Sequence, residues 1–179
     1  RFEGEFEAVL LCLRAPELLV ALLLRAVADR AVARLDPVEF EHFLRDLGTD
    51  VAQTLRVDSM KLVLESVQDK ADPTIKTLGD VLSVAEPGFI AEYLADGRNA
   101  APRQVTLRQI HEGDARIYGQ QAEFIRSEAC LLLDFGAGRL PGMLAMGAED
   151  PHQFSPQQGT DLLAFFAGVF ERAMRRWLS

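Results

Sequence analysis

The residues able to do chemistry in this chain are few. Two segments carry acids beside histidine, His111-Glu112-Gly113-Asp114 and Glu149-Asp150-Pro151-His152. Carboxylate and imidazole can ligate a metal or move protons. Neither segment, however, has the helical His spacing that sets two imidazoles on one face. Solvated loop residues are the plainer reading, so no metal site and no catalytic residue is expected. Cys12 and Cys130 lie far apart, and Cys130 follows Ala129 and precedes Leu131-Leu132, where a thiol serves as a small buried hydrophobe. Gly136-Ala137-Gly138 invites a dinucleotide-loop reading, but that loop must open a helix, and Gly142 to Gly147 reads as a strand. A hairpin link is expected there instead. There is no Walker sequence and no Gly-x-Ser-x-Gly elbow. The chain is therefore not expected to be an enzyme.

Lys61, Arg108 and Glu128 are of another kind, because each is a charge in or beside an apolar run. Such residues commonly mark an outward sheet face or a sheet edge. The functional alternative is that they line a concavity over one sheet face, where a few polar groups orient a small molecule. Tyr93 and Tyr118, the two tyrosines of the chain, flank the same region. On this reading Phe89, Tyr93, Arg108, Tyr118 and Arg126 are the candidate ligand-binding residues; no particular cofactor is implied.

The elements that would position them follow from periodicity. Residues 5–34 read as helix interrupted at Pro16, with the run Leu18 to Leu24 apolar nearly all round and in need of a cover. Asp36-Pro37 starts a second helix whose stripe is Phe40, Leu44, Leu47, Val51 and Leu55. Val57 to Glu65 then alternates, with Met60, Leu62 and Leu64 opposite Ser59, Lys61 and Glu65, which predicts a strand with one apolar face. A short strand is expected over Asp80 to Val84. A helix from Pro87 to Asp96-Gly97 follows, then a strand over Val105 to Ile110 and a loop or short helix over His111 to Gln121. Ile125 to Phe135 and Met143 to Met146 should pair as a hairpin. Ser155-Pro156-Gln157-Gln158 reads as a capping box opening the last helix. Strands without regular helical crossovers predict an α+β fold on an antiparallel sheet.

Composition bounds what such a fold can do. The chain has 179 residues, 49% of them hydrophobic, and a net charge of −8. It is long enough for one domain with a real core. The negative charge argues against direct nucleic-acid binding and against an anionic membrane surface, since both need basic residues. No apolar run approaches the roughly 20 residues of a membrane span. Two distant cysteines fit a reducing, cytoplasmic setting.

The segments Arg126-Ser127-Glu128-Ala129-Cys130-Leu131, Gly147-Ala148-Glu149-Asp150-Pro151 and Phe154 through Gly159-Thr160-Asp161-Leu162-Leu163 resemble the uncharacterised bacterial family DUF 484, itself GAF-like. The resemblance runs over about Asp36 to Ser179. It implies a GAF-like antiparallel sheet of about five or six strands. The N- and C-terminal helices would pack on one face, with shorter helices, loops and a ligand pocket on the other. It divides the chain into a helical lead-in, 1–35, and a GAF-like domain, 36–179. The cyclic-nucleotide signature, the cysteine set of GAF-like methionine sulfoxide reductases and a bilin-attachment cysteine are all missing. The expectation is thus a non-catalytic sensory or regulatory domain for an unknown small molecule, homodimeric through its terminal helices, with a protein partner. The alternative is an interaction scaffold without a ligand, and a metal-assisted enzyme comes third.

Overall fold

The structure, a computed structural model, describes residues 42, 44–67, 80–97 and 101–178. The expected lead-in, 1–35, and the Asp36-Pro37 helix start lie outside the described residues. A π-helical turn, Leu47–Val51, runs into α1, Ala52–Leu55. Strand β1, Ser59–Glu65, is followed by β2, Leu82–Ala85, and helix α2, Phe89–Ala95. Next come β3, Val105–Gln109, helix α3, Ala115–Tyr118, and a 3-10 turn, Gly119–Phe124. The hairpin of β4, Ser127–Leu133, and β5, Gly142–Ala148, leads to helix α4, Asp161–Leu178.

The fold is mixed α+β, with a five-stranded open sheet in the order β2-β1-β5-β4-β3. Three of its four strand pairs are antiparallel, but β1 and β2 run parallel, with Val63 opposite Ser83 and Glu65 opposite Ala85. This corrects the all-antiparallel expectation. The connection 66–81 is far longer than a hairpin turn, and a long connection allows β2 to return in the same direction as β1.

One sheet face carries Met60, Leu62, Leu107, Ala129, Leu131, Leu144 and Met146, packed against Leu44, Leu47 and Val51 and against Phe166, Phe170 and Met174 of α4. The helical stripe read from Leu44 to Leu55 therefore does face the core. The opposite face is covered as well: Val63, Cys130, Met143 and Ala145 pack under Ile90 and Leu94 of α2, Ile117 and Tyr118 of α3, and Ile125. Hence β1 does not have one wet face, as its alternation suggested; Ser59, Lys61 and Glu65 are all buried. Helix α4 also starts later than the capping box implied. Gln158 Oε1 does accept from the Ser155 backbone N–H at 3.2 Å, but this pairing closes a turn, and after Gly159 the helix begins at Asp161.

Candidate functional site

The second sheet face owes its character to one row of residues across the strands. Cross-strand pairing aligns Ser59 of β1 with Gly147 of β5, Gly147 with Glu128 of β4, and Glu128 with Arg108 of β3. Glycine at 147 leaves a gap in the row, and the Tyr118 ring lies over it. The sheet edge therefore carries a cation, its neighbour an anion, and the space beside the anion admits an aromatic hydroxyl.

Glu128 is fully buried and collects four hydrogen bonds. Its Oε1 accepts from Arg108 Nε at 2.6 Å and from Tyr93 Oη at 2.9 Å. Its Oε2 accepts from Tyr93 Oη at 2.7 Å and from Tyr118 Oη at 2.7 Å. A buried carboxylate is tolerated only when paired and hydrogen-bonded, and both oxygens are. Arg108 Nη1 also donates to the Tyr93 carbonyl at 3.2 Å, which ties α2 to the sheet. Burial opposes the Arg108 charge, but Glu128 leads the groups that more than offset this and hold the guanidinium above its usual range. Burial, then the neighbouring Cys130 and Glu128, pushes the hydroxyls of Tyr93 and Tyr118 upward, so both stay protonated donors.

Local sequence explains how α2 delivers Tyr93. Gly88 takes a left-handed conformation at its N-cap, φ 94°, and Asp96 and Gly97 take left-handed ones at its end, where the sequence placed the helix stop. The helix has no cap of its own; instead the Glu65 carboxylate, from β1, accepts the Ile90 N–H at 2.8 Å. An anion at a helix N-terminus satisfies a free donor there and suits the helix dipole. Positions 89, 92, 93 and 96 fall on one face of this helix. That face, with Arg108 and Arg116, lines a cleft of about 200 Å³. Phe89 and Tyr93 stack at 5.9 Å, the Arg116 guanidinium lies 4.6 Å over the Phe89 ring, and that of Arg108 lies 4.6 Å over Tyr93. Asp114 caps α3 by accepting the Arg116 N–H, and its carboxylate also holds the Arg116 guanidinium, at 2.6 Å from Nη2.

Phe89, Tyr93 and Arg108 thus meet at the cleft, and Tyr118 lies beneath it, joined to them through Glu128. Arg126 is apart: its Nη1 donates to the carbonyls of Glu123 and Ile125, and it does not line the cleft. Sequence reasoning missed Glu92, Asp96 and Arg116. The i, i+3, i+4, i+7 spacing from Phe89 to Asp96 was the signal for the first two. In the two acid/His segments, several residues hold local backbone. Asp150 Oδ1 accepts the His152 N–H, Glu149 N–H donates to Asp58, and Asp114 is the cap just described. Among the described residues no group of three or more His, Cys, Asp or Glu side chains could hold a metal ion, and no helix is long and apolar enough to cross a membrane.

Residues 94–179 match the family described as Protein of unknown function, DUF484. The matched region includes Asp96, Arg108, Arg116, Tyr118 and Glu128 and begins just after Tyr93. No curated protein matches the chain.

Proposed function

We propose, from the match of residues 94–179 to the DUF484 family, that this chain is a GAF-like, non-catalytic regulatory domain binding a small molecule. The ligand site is the cleft walled by Phe89, Tyr93, Arg108 and Arg116. The observation that carries this reading is that Tyr93 and Arg108 have two roles: they line the cleft, and they end on buried Glu128. A ligand that moves either side chain thereby acts on the hydrogen bonds joining α2, α3, β3 and β4. Native mass spectrometry and thermal shift test it. A retained small molecule, or a ligand-dependent rise in Tm lost in R116A, is expected. A chain that carries nothing and responds to nothing counts against it.

A second reading rests on α4. Leu162 and Phe165, one turn apart, are 40% and 55% exposed, and exposed apolar residues at that spacing suit helix pairing. On this reading the domain self-associates through its terminal helices. Sedimentation of the full chain at micromolar concentration should give a dimer, and L162E/F165E should give a monomer. A monomeric parent chain would count against it.

A further inference from the structure

The charges around the cleft narrow the class of ligand. Two guanidiniums, Arg108 and Arg116, stand against two carboxylates, Glu92 on α2 and Asp96 at its C-cap. Both acids are exposed, and Asp96 Oδ1 is 3.7 Å from Arg108 Nη1. Each guanidinium has partners of its own before any ligand arrives. Arg108 is held by Glu128 and the Tyr93 carbonyl, Arg116 is held by Asp114, and each lies over an aromatic ring. These bonds use Nε and Nη1 of Arg108 and Nε and Nη2 of Arg116. One terminal nitrogen of each remains without a partner among the described residues. Preorganised guanidinium N–H groups suit a carboxylate.

A simple anion meets Glu92 and Asp96 on the same rim, and a simple cation meets the two arginines. A molecule carrying both charges satisfies both sets. The cleft of about 200 Å³ is smaller than the roughly 300–1,000 Å³ typical of drug-sized sites. A groove of about 690 Å³ along β2 shares Phe89, Glu92 and Arg116 with it and has room for a substituent. Resting on the ligand-binding reading above, we infer that the ligand is a small zwitterion of the α-amino-acid type. Its carboxylate lies against Arg108 and Arg116, and its ammonium against Glu92 and Asp96.

Thermal shift and calorimetry on the full chain test this with four kinds of probe. They are the proteinogenic L-amino acids, their N-acetyl derivatives, the matching decarboxylated amines, and the anions succinate and inorganic phosphate. At least one free amino acid should bind while its N-acetyl and amine counterparts do not. R116Q and E92Q, both at exposed positions, should each weaken binding about tenfold or more, and R126Q should leave it unchanged. If an anion or an amine binds in an R116-dependent way and no amino acid does, the zwitterion inference fails while the ligand-binding reading stands. If no probe binds and the purified chain retains no small molecule, both fail.

Discussion

The Tyr118 ring stands where a side chain at position 147 would be: a Cβ added to Gly147 would come within 2.8 Å of Tyr118 Cε1 and about as close to Ile125. Gly147→Ala must therefore displace the ring that bonds Glu128, and overpacking of this kind costs about 1–3 kcal/mol. Gly168→Ala, in α4, meets nothing within 4 Å and should stabilise the helix by about 0.5–1 kcal/mol. Urea denaturation of the two variants should give opposite signs. Equal effects would show that the Tyr118 position is not constrained.

Removing the buried anion should be the most damaging single change on this face. Glu128→Ala strands the partly buried Arg108 charge and leaves two tyrosine hydroxyls without their acceptor, a loss of about 3–5 kcal/mol. Tyr118→Phe removes one bond to a charged group and should cost about 1.5–3 kcal/mol. Chemical denaturation separates the two, and a Glu128→Ala loss below 1 kcal/mol would contradict the described network.

Stability should fall in alkali. Tyr93 and Tyr118 are held above their ordinary value of 10.0, so above that pH the unfolded chain releases protons that the folded chain keeps. The unfolded state then binds fewer protons, and the unfolding free energy drops with rising pH, with a slope that for Tyr118 alone approaches about 1.4 kcal/mol per pH unit as the unfolded tyrosine becomes fully ionised. The contribution is complete below pH 10 and is lost above it. Tyr118→Phe should flatten the slope of unfolding free energy between pH 10 and 11. An unchanged slope would refute the assignment.

Cys130 should be chemically silent in the folded protein. It is fully buried, and burial, followed by Glu128, pushes its thiol well above the ordinary range. In a Cys12→Ser background, a thiol reagent should label the chain only after denaturant is added. Rapid labelling of the native chain would mean that the α2–α3 cover opens readily.

Much of the element order was legible because hydrophobic period reports burial. The stripe Leu44, Leu47, Val51 and the hairpin around Gly136 to Gly142 were readable in this way. So was helix α2, from the Pro87 side to the Asp96-Gly97 stop. Charges inside strands were less legible. Lys61, Arg108 and Glu128 favoured an outward face, yet Glu128 is buried and bonded and Lys61 donates to the Asp80 carbonyl. Whether a strand charge faces water depends on its cross-strand neighbour. Between β3 and β4 that neighbour is set across α3 and the 3-10 turn, a connection too irregular for its register to be counted from sequence. The parallel β1–β2 pair was hidden for a related reason, since nothing in the 66–81 segment states the direction of its return.

The direct facing of Arg108 and Glu128 also bears on which alignments of the two strands are open to the chain. Sliding β3 by one residue would turn Arg108 onto the opposite sheet face, the one on which Val105 and Leu107 join the core, while Glu128 stayed behind without its cation. The apolar run of Ser127–Leu133 would otherwise tolerate several offsets against Val105–Gln109, because one leucine packs much like another. A wrong offset of β3 separates the ion pair and leaves Glu128 buried without its cation. The pair thus acts as an alignment mark between two edge-side strands, one that excludes misfolded registers.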